Sequence, residues 1–242
     1  MSYNIEEKRI NDIYGVLYRP KIDKKIPIII FSHGLGSTHK SGDIYAKHLS
    51  KLGYAFYEFD FRNGGNKSKS GNDTTKMSVM TETNDLLEVL EEIKTWNFID
   101  QDNIILMGAS QGGLVTALIA HKVKVKQIIL LYPAFIICDI VHKYMPSIDK
   151  IPETFNFQNW VTLGKPYAKD IWDLDAYTES SKYEGKVLII HGMLDHLVPI
   201  TYSKKANKIF NNCTLKKIRN ADHGFYDEDL NEALKYIEEV LK

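Results

Sequence analysis

Apolar residues occur along this chain in short uninterrupted runs separated by longer amphipathic stretches. "IPIIIFSH", "YAFYEFD", "NIILMG", "QIILLYP" and "KVLIIHG" are such runs, and "TLKKIRN" is a weaker one near the C-terminus. Continuous runs of this kind suit strands buried on both faces of a parallel sheet. "INDIYGVLYRP" instead shows a period-2 pattern, as a half-buried strand does. Between the runs lie helical patterns: "MSVMTETNDLLEVLEEIKTW" puts Val79, Leu86, Leu87, Leu90 and Ile93 on one face, and "DLNEALKYIEEVLK" does the same with Leu230, Leu234, Ile237 and Leu241. Alternating strands and helices predict an α/β fold, a mostly parallel central sheet with helices on both faces.

One segment breaks the rhythm. About fifty residues separate "LLYP" from "KVLII", far more than an ordinary connection between a helix and a strand. Residues 133–182 are therefore expected to form a cap inserted into a single domain spanning 1–242. The segment carries Phe135, Tyr144, Phe155, Phe157, Trp160, Tyr167, Trp172 and Tyr177, with Pro146, Pro152 and Pro166 interrupting any long helix. These aromatics either line a ligand site or build the small core of the cap; the pattern alone allows both.

Composition narrows the function classes. The 242 residues are 44% hydrophobic and 26% charged, enough for one substantial core. Lys+Arg and Asp+Glu both number 31, so no net charge favours a polyanion, and nucleic acid is not an expected partner. No apolar run approaches the roughly 18 residues of a membrane span, and "MSYNIEEKRI" lacks the basic-then-apolar order of a signal peptide. A cytoplasmic protein is expected. Cys138 and Cys213 are too few for a disulfide framework and are expected as reduced thiols. Neither a cofactor nor a metal is expected: "HGLGSTH" lacks the third glycine of a dinucleotide fingerprint, "GGNKS" fails the phosphate-loop spacing, and there is no H-E-x-x-H or paired-cysteine pattern.

The candidate chemistry starts at "ILMGASQGGLVTALIA". Ser110 lies at the corner between a buried strand and a helix, fenced by Gly108 and Gly112 in a G-x-S-x-G pattern. A serine there is either an exposed nucleophile or a simple helix cap on a tight turn. A nucleophilic serine needs a base, and the base needs a third group to orient it. His223, in "IRNADHGFYDE", falls in a polar turn after the last predicted strand, at the carboxyl end of the sheet where such sites form. His33 and His191 are expected to shape turns, and His39, His48, His121, His142 and His196 to serve on the surface or in structural roles. For the acid, Asp195 in "IIHGMLDHLVP" gives the chain order Ser, Asp, His. Its competitors are Asp222, whose position next to His223 points its side chain elsewhere, and Asp60, better suited to tying down the loop "FRNGGNKSKSG". The backbone N–H groups of Leu35, in "FSHGLGS", and Gln111 are the expected donors to a developing oxyanion.

His33-Gly34, Gly108-Ala-Ser110-Gln-Gly112, Asp195 and His223, in this order, resemble the α/β-hydrolase superfamily over nearly the whole chain. "HGLG", "MGASQGG", "LLYPA", "IIHGMLDHLVP" and "ADHGF", with an insertion after "LLYPA", resemble the small bacterial feruloyl (cinnamoyl) esterases. Monoacylglycerol lipases, thioesterases and acyl-peptide hydrolase domains share nearly the same motifs, and a non-catalytic binding protein can use the same fold. The resemblance implies a serine carboxylesterase acting on a small-molecule ester, with hydroxycinnamoyl esters as substrates, no cofactor, and a homodimer compatible with it. It also implies polar cap residues that meet the distal hydroxyl of the ring, near Asp139 and Tyr167. "DFRNGGNKS" departs from the family pattern, which often has a histidine between glycines there.

Overall fold

The structure is a computed structural model describing residues 1–157 and 159–242. Among the described residues there are ten strands: β1 (Tyr3–Ile10), β2 (Ile13–Pro20), β3 (Ile26–Ser32), β4 (Ala55–Phe59), β5 (Ile99–Ala109), β6 (Gln127–Leu131), β7 (Thr154–Phe157), β8 (Val161–Gly164), β9 (Lys186–Gly192) and β10 (Cys213–Ile218). Eight of them form one sheet in the order β1-β2-β4-β3-β5-β6-β9-β10, antiparallel through β1, β2 and β4 and parallel from β4 onward. The α-helices are α1 (Asp43–Lys51), α2 (Val79–Lys94), α3 (Gln111–Ile119), α4 (Ile137–Tyr144), α5 (Lys165–Lys169), α6 (Ala176–Ser181), α7 (Thr201–Ile209) and α8 (Asp227–Leu241).

The continuous apolar runs follow from a sheet with two covered faces. Ile28 and Ile30 of β3, with Ile104 and Leu106 of β5, face a core built with α2, α3 and α7. Ile29, Phe31, Ile105 and Met107 face the other core, built with α1 and α8. Side chains that alternate between two covered faces make most positions at the centre of these strands apolar. The α2 stripe is buried at Val79, Leu86, Leu90 and Ile93, with Leu87 only half-buried, and the α8 stripe is buried throughout.

The stretch Tyr3–Ile10, which shows no apolar run, pairs with β2 as an edge strand. Its charged residues, with only Ile10 fully buried, suit an edge that must not recruit another strand. Between β6 and β9 lie α4, the β7–β8 hairpin as a separate two-stranded sheet, α5 and α6. This segment is tied to the start of α2: the Ser78 hydroxyl donates to Asp170 at 2.6 Å and that of Thr74 to the carbonyl of Thr162 at 2.6 Å.

Candidate active site

Ser110 joins β5 to α3 with φ 54° and ψ −120°, a backbone conformation costly for a residue with a side chain. Its N–H donates to Leu131 O at 2.9 Å, which anchors the corner on β6. A Cβ on Gly108 would stand 2.2 Å from Gly112 O, and one on Gly112 would stand 2.2 Å from Ser32 O. Both positions require glycine because β3, β5 and α3 meet there.

The loop after β10 carries His223 to this corner. Its Nε2 lies 2.9 Å from Ser110 Oγ and its Nδ1 lies 2.8 Å from Asp195 Oδ2. One neutral tautomer satisfies both contacts: Nδ1–H donates to Asp195, and Nε2 accepts from the Ser110 hydroxyl. Asp195 follows β9 and is almost fully buried. Burial pushes its carboxyl up, but donors from His191, His223 and the Val198 N–H outweigh it and hold the group well below the usual carboxylate range. Its Oδ1 accepts from Val198 N–H at 2.7 Å and Leu197 N–H at 3.0 Å, which leaves Oδ2 aimed at the imidazole.

His191 does more than shape a turn. It is fully buried, its Nδ1 accepts the Ser203 hydroxyl at 2.7 Å, and its Nε2 faces Val198 O at 2.8 Å and Asp195 Oδ2 at 3.1 Å. Tyr132 supports the other partner, its ring meeting the His223 ring edge-on at 4.7 Å. Both residues lie directly at strand ends, in "IIHG" and "LLYP", the only sequence signal that could have marked them. Asp222 is exposed and accepts the backbone N–H groups of His196 and His223, at 3.1 and 2.8 Å, so it braces the loop and not the ring. Asp60 binds His39 and the N–H of Lys69, tying down the loop that follows β4. Of the remaining histidines, His48 pairs with Glu238, His121 with Glu179, and His142 with the carbonyl of Trp172, all away from Ser110.

Leu35 and Gln111 flank the serine, and among the described residues neither backbone N–H donates to a protein acceptor. The turn holding Leu35 is set by His33, which is fully buried between two backbone groups. Its Nδ1–H donates to Gly34 O at 2.8 Å, and its Nε2 accepts from Phe61 N–H at 3.1 Å. Burial pushes its pKa down to about 4, so the ring stays neutral. Gly64, in the loop that lacks the family's histidine, supports the same turn through its carbonyl, which accepts from Gly36 N–H at 3.0 Å.

Ser110, Leu35, Gln111 and His223 open onto a cleft of about 250 Å³. Its outer walls are apolar: Ile136 just before α4, Ile137 and Ile140 from α4, with Phe157 and Trp160 from the hairpin. Neither Tyr167 nor Asp139, the residues expected to meet a ring hydroxyl, lines it. Tyr167 is fully buried, packed near Phe155 and Phe157, and its hydroxyl donates to Gln111 Oε1 at 2.6 Å. Gln111 Nε2 in turn donates to the buried Glu82 at 2.8 Å. Asp139 is exposed and accepts the Tyr202 hydroxyl at 2.6 Å, beside a different surface depression. The one-turn offset between α4 positions explains this: Ile137 and Ile140 take the inward face, which turns Asp139 outward. Among the described residues no cluster of three His, Cys, Asp or Glu is arranged to hold a metal, and no helix is long and apolar enough to cross a membrane. Both cysteines are free.

The solved structure of Est1E from Butyrivibrio proteoclasticus with ferulic acid bound superposes with a TM-score of 0.85 at 25% identity, covering 98% of this chain and 97% of that one. The monoacylglycerol lipase of Paleococcus ferrophilus shares the fold, with a TM-score of 0.70 at 18% identity over 95% of this chain and 98% of the other. In sequence, the quorum-quenching protein AidA of Acinetobacter baumannii is 28% identical over 98 residues, 40% of this chain and 32% of its own length. A Mycoplasma genitalium protein named as an esterase/lipase is 27% identical over 128 residues, 51% of this chain and 44% of its own. The chain thus aligns with less than half the length of either relative. The family model of the prolyl oligopeptidase family matches residues 41–241, which takes in Ser110, Asp195 and His223. With this match and the sheet order described above, the chain belongs to the prolyl oligopeptidase family and has the α/β-hydrolase fold.

Proposed function

We propose that this protein is a serine carboxylesterase working through an acyl-enzyme. The observation that carries the reading is the unbroken chain Asp195–His223–Ser110, at 2.8 and 2.9 Å, ending at an apolar cleft beside two backbone N–H groups that have no protein acceptor among the described residues. Ser110 Oγ attacks the ester carbonyl carbon while its proton passes to His223 Nε2. The carbonyl oxygen becomes negative and is met by the N–H groups of Leu35 and Gln111. As the tetrahedral species collapses, the bond to the alcohol oxygen breaks and His223 returns the proton to that oxygen. Water, giving a proton to the same histidine, then attacks the acyl carbon; the bond to Ser110 Oγ breaks, His223 returns the proton to Oγ, and the acid is released. Asp195 stays ionised throughout and stabilises the imidazolium.

For the acyl group, the apolar cleft supports an aryl or alkyl chain over a charged one. The likeness to Est1E, whose solved structure holds ferulic acid, supports hydroxycinnamoyl esters as the first substrates to try. The test is labelling by a fluorophosphonate together with turnover of aryl, short-acyl, glyceryl and thioester substrates and a peptide anilide. The parent should be labelled and hydrolyse at least one oxygen ester, and Ser110→Ala should do neither. Labelling without ester turnover, with cleavage of the anilide, would reassign the protein as a peptidase; no labelling and no turnover would leave a binding protein.

A further inference from the structure

A second cavity, about 280 Å³, adjoins the first. Its walls are Ile140, Val141, Tyr144 and Met145 from the second half of α4 and just beyond, with Phe155, Asn156 and Phe157 from β7. Ile140 and Phe157 line both cavities, so these two side chains form the partition between them. Among the described residues no ionisable group other than the Tyr144 phenol lines the second cavity, and Asn156 has its side-chain oxygen bonded to the Thr162 hydroxyl at 3.0 Å. Helix α4 runs along both. Ile136, Ile137 and Ile140 face the Ser110 cleft, and Ile140, Val141 and Tyr144 continue the same i, i+1, i+4 stripe into the second cavity. One apolar helix face therefore leads from the nucleophile to the far chamber.

We infer that the far chamber takes the distal end of an unbranched apolar acyl chain, so that the preferred substrates are esters of medium-length fatty acids. The inference rests on the serine-esterase reading. The direction of the chain follows from the chemistry at His223. The alcohol oxygen must come within hydrogen-bond reach of Nε2 to receive its proton, which puts the alcohol on the side of Leu197 and Tyr226, the exposed mouth of the cleft. The acyl group then points the opposite way, toward α4. Apart from the Asn156 amide and the Tyr144 phenol the walls there are apolar, which suits methylenes. Each added methylene buried beyond the partition strengthens binding.

The test is kcat/KM of the purified full chain on p-nitrophenyl acetate, butyrate, octanoate, decanoate and palmitate, with methyl ferulate alongside. The value should rise about tenfold or more from butyrate to octanoate or decanoate. In Met145→Trp, which fills the chamber, and in Asn156→Asp, which places a charge at its wall, the decanoate-to-butyrate ratio should fall about tenfold. Because the ratio is taken within each variant, a loss of folded protein cancels. A parent value that peaks at acetate or butyrate, or a ratio unmoved by both substitutions, overturns the inference. Ser110→Ala separates the two levels: if it still hydrolyses butyrate, the serine-esterase reading itself is wrong.

Discussion

The Tyr167 hydroxyl donates to Oε1 of Gln111 at 2.6 Å, with both side chains fully buried. The segment between β6 and β9 thereby holds the side chain of the residue whose backbone N–H stands beside Ser110. Tyr167→Phe leaves the Gln111 oxygen buried and unpaired, at a cost of about 1–3 kcal/mol. The expected result is a lower unfolding midpoint and a lower kcat, by the same factor for a para-hydroxylated cinnamoyl ester and for butyrate. A loss confined to the hydroxylated ester would instead place the phenol against substrate.

Asp195 and Asp222 flank the same histidine but hold different atoms. Asp195→Asn removes the acceptor of the Nδ1–H and leaves the wrong tautomer favoured, so kcat should fall by roughly 10³–10⁴-fold with the fold retained. Asp222→Asn keeps a side-chain oxygen for the two backbone N–H groups, and kcat should change by less than about threefold. Steady-state kinetics with circular dichroism on both variants checks the ranking.

His33 makes stability fall in acid. Its pKa is about 4 in the fold against 6.5 when free, so below 6.5 the unfolded chain takes up a proton that the native protein refuses. The contribution is fully present above pH 6.5 and is lost as pH falls toward 4, by roughly 3 kcal/mol. Urea unfolding across this range should show a shallower slope for His33→Asn than for the parent, whatever the variant's absolute stability.

Glu58 acts in the opposite sense. Both its oxygens are buried beside the Asp43 carboxylate, to which a protonated Glu58 donates, and a Cβ on Gly42 would lie 2.5 Å from one of them. Burial, with the Asp43 charge beside it, pushes its pKa from 4.5 up to about 10. Stability present below pH 4.5 is therefore lost as pH rises toward 10, because the unfolded chain releases a proton that the native protein keeps. Glu58→Gln should remove this slope and gain roughly 3 kcal/mol at pH 7, measured as the difference between unfolding curves at pH 5 and pH 8.

The sheet was legible in the sequence where packing imposes a pattern. Strands β3, β4 and β6, residues 104–109 of β5 and residues 187–192 of β9 are covered on both faces, so apolar residues dominate there, and the stripes of α2 and α8 follow from one buried side. The corner at Ser110 was legible because two glycines are the only residues that fit where β3, β5 and α3 meet. The tertiary structure alone decided the rest. Strand β1 gains its place from pairing with β2, and an edge strand needs no apolar run. Asp195 and His223 are separated by 28 residues, and their separation in space depends on how the loops after β9 and β10 turn. Tyr167 and Asp139 carry groups suited to a substrate hydroxyl, yet a phenol already bonded to Gln111 and a carboxylate on the outer face of α4 cannot meet one. Residue type states which bonds a side chain is able to make; only the packing around it settles which neighbour takes them.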